Sequence, residues 1–122
     1  MSDALDTPLF DPLAHHLNHG QADLIARARK LGAERFAPRA ALHDRDASFP
    51  TDNYRDLRDA GLLAVCIPQQ HGGLAADYLT YALAAAEIAR SCGATALTWN
   101  MHVCSTLWTG ALADALDMDA DQ

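Results

Sequence analysis

The chain has 122 residues, of which half are apolar and one fifth are charged, and its formal net charge is -7. This length allows one modest domain with a single core, and the composition is typical of a packed helical protein rather than a disordered one. Because nucleic-acid phosphates need Lys and Arg for neutralisation, the acidic balance predicts no nucleic-acid partner.

Residues 1–20 lack the basic start and the apolar run of a secretory signal. We expect them to form a flexible segment ahead of the domain, and we expect the protein to be cytoplasmic. His15 and His19 are four residues apart, but no third ligand accompanies them, so we predict no metal site.

The first predicted helix covers residues 21–45, where apolar and charged side chains fall on opposite faces. Its apolar positions are Leu24, Ile25, Ala28, Leu31, Phe36 and Ala40. Pro38 lies inside this pattern. Because proline cannot donate a helical hydrogen bond, we expect it to kink or interrupt the helix.

The second predicted helix covers residues 52–60, with Thr51 as its N-cap and Gly61 in the left-handed conformation that closes a helix. Residues 62–67 are apolar and run into Pro68, and Gly72 and Gly73 follow in a loop. A buried connector between two helices is therefore expected.

The third predicted helix covers residues 77–91. Asp77 is a plausible N-cap, and Glu87 and Arg90 are spaced for an ordinary structural ion pair near the end of the helix. The cysteines show no CxxC spacing and lie in apolar surroundings, so we expect small core residues rather than a zinc site or a disulfide framework. They are Cys66, Cys92 and Cys104.

The fourth predicted helix covers residues 94–116 and is followed by an acidic tail, residues 117–122. No formal charge occurs between Arg90 and Asp114, so we expect this helix to be deeply buried. Its many hydroxyl and amide side chains make it too polar for a membrane span, and no membrane partner is predicted.

One narrow stripe of the fourth helix carries small hydroxyls around a single imidazole: Thr95, Thr98, His102, Ser105 and Thr109. Such a stripe fits a helix that faces a ligand cavity. It fits equally a packed helix in which each hydroxyl bonds the carbonyl one turn back and the histidine is a core residue. The residues alone leave both interpretations open.

Four segments, taken in order, resemble the N-terminal helical domain of the acyl-CoA dehydrogenases, over roughly residues 22–110. They are FP at Phe49, DLRDAGLL from Asp56, IPQQHGG from Ile67 and EIARSCGATAL from Glu87. The resemblance implies an all-α, four-helix domain covering residues 21–116, without the middle β domain and the C-terminal helical bundle of that family.

The resemblance also implies a function. The complete protein would be an FAD-dependent oxidoreductase that desaturates an acyl-CoA thioester, passes electrons to an electron-transfer flavoprotein and forms a homo-oligomer. This domain would form the acyl-chain end of the substrate pocket, with Thr98, His102 and Thr106 in its wall. The resemblance places the catalytic glutamate and most flavin contacts in later domains, so the chain alone would be inactive and would not hold FAD. A flavin-dependent monooxygenase of the same fold, or a non-catalytic helical binding module, remains open.

Overall fold

A computed structural model describes residues 2–12, 14–119 and 121 of the chain. Within them the helices are α1 (Ser2–Asp6), α2 (His19–Leu31), α3 (Ala37–Asp46), α4 (Thr51–Asp59), α5 (Tyr78–Ser91) and α6 (Gly93–Ala115). A π-helical turn, Gly32–Phe36, joins α2 to α3, and the 3-10 turns Leu62–Ala64 and Gln69–His71 lie between α4 and α5. The described residues contain no strand, so the predicted all-α fold is confirmed. The first of the four predicted helices corresponds to α2 and α3 together.

The start of α2 is fixed by a capping box. The Asn18 side chain accepts a bond from the Gln21 amide, while the Gln21 side chain accepts one from the Asn18 amide. The amide nitrogen of the Gln21 side chain then donates to the Asp77 carboxylate and the Thr80 hydroxyl at the start of α5. These bonds hold the first turns of α2 and α5 together.

The interruption predicted near Pro38 is present, but it lies before the proline. The Ala37 amide donates to the Gly32 carbonyl, five residues back, which widens the helix to a π turn. Pro38 then occupies the first turn of α3, where a missing N–H leaves no regular bond unmade. The Gly32 end of the turn lies close to α5, since a Cβ added there would be 2.9 Å from the Ser91 hydroxyl.

The core lies where α2, the π turn, α5 and α6 meet. Its fully buried members are Ala28, Phe36, Leu57, Leu62, Ala84, Ile88, Trp99 and Val103. The connector after α4 contributes Leu62 and Val65, both essentially without solvent exposure, which confirms that it is buried.

Two helix boundaries test the predicted caps. Asp77 caps α5 as predicted, since its carboxylate accepts the Thr80 amide at 2.8 Å. Gly61 is left-handed as predicted, with φ 78°. The prediction that Thr51 is the N-cap of α4 is wrong, because Pro50 holds that position and Thr51 is already helical. No side chain caps this helix.

The prediction that α6 is deeply buried is also wrong. Only its inner face is enclosed, through Thr95, Ala96, Trp99 and Val103. Its outer face is apolar but has no packing partner among the described residues, and this explains why the lack of charge was misleading. No helix in the described part of the chain is long and apolar enough to cross a membrane.

Candidate functional site

Two side chains on the inner face of α6 form hydrogen bonds, through ring nitrogens, to backbone carbonyls of the connector at residues 62–67. Trp99 Nε1 donates to the Leu62 carbonyl at 3.0 Å, and His102 Nε2 lies 2.7 Å from the Leu63 carbonyl. Because a carbonyl oxygen can only accept, His102 carries a proton on Nε2. A neutral ring then leaves Nδ1 as a hydrogen-bond acceptor.

A buried polar chain fastens the start of the same helix to α4. Asn53, without solvent exposure, donates from Nδ2 to the Thr95 hydroxyl at 2.8 Å. Its carbonyl oxygen accepts Arg39 Nη1 at 2.8 Å, and the same nitrogen lies 2.7 Å from the Asp56 carboxylate. A buried side-chain amide needs hydrogen-bond partners for both its nitrogen and its oxygen. These hydrogen bonds therefore fix α3, α4 and α6 relative to one another.

The hydroxyls predicted to line a pocket bond their own helix. Thr98 donates to the Ala94 and Thr95 carbonyls, and Thr106 donates to the Val103 carbonyl at 2.8 Å. Ser105 and Thr109 make the same kind of bond. These are the bonds expected for a packed helix, although the hydroxyl oxygens can still accept a bond from a neighbouring group.

A groove of about 650 Å³ lies between the second half of α6 and the loop of the Gln69–His71 turn. Its lining is mainly apolar and consists of Ile67, Pro68, Gln70, His71, Thr106, Thr109, Gly110, Leu112, Ala113, Asp114 and Met118. Of the three predicted wall residues, the groove includes Thr106. The half-buried His102 lies about one turn, and Thr98 about two turns, nearer the start of the helix.

Beside the groove, the outer face of α6 exposes large apolar side chains. Leu97 is 65% exposed, Met101 60%, Trp108 77% and Leu112 57%. Leu112 belongs both to this face and to the groove lining. This exposure was not predicted from the sequence, because the uncharged fourth helix was expected to be buried on every side.

The glutamate that could pass for a catalytic base is structurally engaged. Glu87 is 1% exposed, and its Oε2 accepts Arg90 at 2.9 Å, which confirms the predicted ion pair. Its Oε1 accepts a hydrogen bond from the backbone amide of Leu9 at 2.8 Å, a contact that was not predicted from the sequence. With both oxygens occupied, Glu87 is not free to take a substrate proton.

The cysteines and the histidines add no reactive centre to this face. Cys92 is buried, and Cys66 and Cys104 are half-buried free thiols. Burial, and to a lesser degree the Asp77 charge, raises the pKa of Cys66, so its thiol stays protonated and poorly nucleophilic. Within the described residues, no group of three His, Cys, Asp or Glu side chains has the placement of a metal site.

The double glycine of the loop has a structural cause. A Cβ on Gly73 would lie 2.0 Å from the Ile67 carbonyl oxygen, so the space beside Gly73 is filled by the chain itself. Gly72 has φ 87°, which favours glycine. The amides of both glycines donate to carbonyls of the same loop, those of Gln69 and Pro68, so neither amide is free to bind a phosphate.

The described residues thus define a helical domain with a groove and an exposed apolar helix face, but without a catalytic set of its own. Residues 18–113 match the family model described as the acyl-CoA dehydrogenase N-terminal domain, so the chain belongs to the acyl-CoA dehydrogenase family. This confirms the resemblance seen in the sequence.

Three relatives illustrate the breadth of the match. The chain is 38% identical to the 3-sulfinopropanoyl-CoA desulfinase of Variovorax paradoxus over 78 residues, 64% of this chain and 20% of the relative. It is 34% identical to the human mitochondrial short-chain specific acyl-CoA dehydrogenase over 89 residues, 73% of this chain and 21% of the relative. It is 38% identical to the cyclohex-1-ene-1-carbonyl-CoA dehydrogenase of Syntrophus aciditrophicus over 84 residues, 68% and 20% respectively. The matched region is about one fifth of each relative.

Proposed function

We propose that the chain serves as the N-terminal domain of an FAD-dependent acyl-CoA dehydrogenase and forms the acyl-chain end of its substrate pocket. The observation that carries this proposal is the groove beside α6, joined to an exposed apolar face, in a domain of this family. An acyl chain needs a mainly apolar surface, and the groove lining together with the exposed face of α6 offers one.

The proposed wall consists of Thr98, His102 and Thr106. Thr106 lies in the groove, and His102 is held in one orientation by the Leu63 carbonyl, so its position relative to the connector is fixed. A fixed wall supports discrimination between acyl groups, because a rigid pocket rejects excess volume better than a mobile one.

We propose that this domain does not hold FAD by itself. The amides of the two loop glycines bond carbonyls of their own loop, and the groove beside α6 is an open and mainly apolar surface. An FAD ring needs several walls and fixed polar partners. We therefore assign FAD binding and proton removal to further parts of a complete enzyme, which is homo-oligomeric and cytoplasmic. Those parts would also pass electrons to an electron-transfer flavoprotein.

The reaction itself is not determined by this domain. One relative is named a desulfinase and two are named dehydrogenases, although all match the same region. We favour α,β-desaturation of an acyl-CoA thioester. A flavin-dependent monooxygenase of the same fold and a helical module without chemistry are the alternatives that the experiment must separate.

A domain exchange tests the proposal. The matched 89 residues of the human short-chain enzyme would be replaced by the corresponding part of this chain, and the isolated 122-residue chain would serve as the comparison. We expect the hybrid to hold FAD and to oxidise an acyl-CoA ester, whereas the isolated chain neither binds FAD at micromolar concentration nor turns over. A folded hybrid without turnover would favour the binding module, and FAD binding by the isolated chain would contradict the proposal.

A further inference from the structure

The segment before α2 crosses α5 and is held there through its backbone. The Leu9 amide donates to Glu87 Oε1 at 2.8 Å. Arg90 Nη1 donates to the Thr7 carbonyl at 2.7 Å, and Arg90 Nη2 donates to the Ala4 carbonyl. In each of these three bonds the segment contributes a backbone group.

One of these bonds supplies a hydrogen-bond donor to the buried carboxylate of Glu87. Glu87 is 1% exposed, and a carboxylate removed from water needs several partners. Arg90 Nη1 donates to Oε2 of Glu87 at 2.9 Å. The arginine near Oε1 is Arg29, whose Nη1 lies 4.0 Å from that oxygen. The Leu9 amide is therefore the close donor to Oε1, and its loss would leave that oxygen poorly satisfied.

Apolar residues of the segment continue the contact beyond these bonds. Phe10 and Leu17 pack against the core, and a cavity of about 210 Å³ separates this stretch from α2 and α5. The segment crosses α5 as the last residues of α1, which ends at Asp6, followed by an irregular stretch that begins at Thr7. A segment bound through its backbone and roofing a small cavity resembles a docked peptide more than a flexible tail.

We propose that Glu87 and Arg90 form a backbone clamp whose ligand is the end of a short helix and the turn that follows it, and that residues 4–9 occupy it in this chain. In the clamp, Arg90 donates to two backbone carbonyls and Glu87 accepts from one backbone amide. The side chains of the segment therefore contribute little to recognition. The clamp lies apart from the groove beside α6, since none of its residues lines that groove. The inference is therefore independent of the proposed acyl-CoA function.

Exchange of the Leu9 amide with deuterium, followed by NMR on the full chain, tests the clamp. We expect the Leu9 amide to be protected in the native chain, and Arg90→Ala to reduce that protection by about tenfold or more, since bonds from a charged donor are lost. The Trp99 indole of α6, which donates to the Leu62 carbonyl of the connector, should keep its protection and report that the fold is intact.

A matched pair of substitutions separates backbone from side-chain recognition. Leu9 is 46% exposed, so Leu9→Ala should leave the backbone order of residues 4–7 unchanged, whereas Leu9→Pro removes the donated hydrogen and should release them. The heteronuclear NOE of those residues measures the difference. This pair decides the question even if Arg90→Ala does not fold. Equal order in the two Leu9 variants, or a Leu9 amide that exchanges at the free rate in the native chain, would overturn the proposal.

Discussion

At the scale of single residues, the structure assigns different roles to side chains that look alike in the sequence. Trp99 is fully buried and bonds the Leu62 carbonyl, while Trp108 is 77% exposed on the same helix. Thr95 accepts a bond from a buried amide of α4, while Thr98 bonds its own helix. The sequence placed these threonines on one stripe, but it could not show which element would lie against each.

The two tryptophans give a matched pair for stability. We expect Trp99→Phe to lower the free energy of unfolding by ~2–4 kcal/mol, because it leaves the buried Leu62 carbonyl unpaired and creates a small cavity. Trp108→Phe should change it by under ~0.5 kcal/mol, as expected for an exposed position. Urea denaturation of both variants measures the difference, and similar losses would show that α6 does not pack as described.

Asp77 gives a prediction about pH. A hydrogen bond from the Thr80 hydroxyl, followed by one from its backbone, holds the pKa of Asp77 below its usual range. Because the folded pKa lies below the unfolded one, the stabilisation is present above about pH 4 and is lost as pH falls through the folded value.

The matched variant is Asp77→Asn, which keeps an oxygen acceptor for the cap but cannot titrate. We expect the native chain to be more stable than the variant near pH 6 and to lose this advantage near pH 3. Denaturation midpoints at the two values measure it. An advantage that grows on acidification would contradict the assigned direction of the pKa shift.

At the scale of elements, the amphipathic patterns and turn residues predicted most of the helices, and the local causes are visible. Asp77 and Gly61 act as predicted because a cap and a left-handed turn depend on nearby residues. The π turn before Pro38 and the exposure of α6 were not predictable in the same way. Gly32, at the start of the π turn, lies against Ser91 of α5, which is distant in sequence, and the outer face of α6 has no covering partner among the described residues.

Two glycines test the loop and the long helix. We expect Gly73→Ala to destabilise the fold by more than ~3 kcal/mol, because its Cβ would overlap the Ile67 backbone, a steric conflict that must move the connector. Gly110→Ala meets open space inside α6 and should stabilise it by ~0.5–1 kcal/mol. Thermal unfolding measures both, and a harmless Gly73→Ala would disprove the tight loop.

At the scale of the whole molecule, the domain has a closed core on one side of α6 and an open apolar face on the other. The candidate site was therefore only partly predictable: Thr106 lies in the groove, but the groove also needs the 67–71 loop, which is distant in sequence. The family could be recognised because short motifs keep their order, whereas pocket geometry depends on contacts that no short motif encodes.

The open face predicts self-association of the isolated chain. Contiguous exposed apolar side chains such as Met101, Trp108 and Leu112 favour burial against another surface. We expect oligomers or binding of a hydrophobic dye, and a Trp108→Lys, Leu112→Lys variant should reduce both. Leu42→Lys, on α3, is the control for added charge. Sedimentation showing a dye-silent native monomer would indicate a self-sufficient module.

The central claim, that the groove beside α6 receives the acyl end of a CoA ester, is tested most directly by substrate preference in the hybrid enzyme. Thr106 lines the groove, while the neighbouring Ser105 is exposed outside it and also bonds its own helix. The account predicts that Thr106→Phe shifts kcat/KM toward shorter acyl chains, because the ring fills the groove, and that Ser105→Phe leaves the chain-length profile unchanged. An unchanged profile in a folded, flavin-bound Thr106→Phe hybrid would contradict the claim.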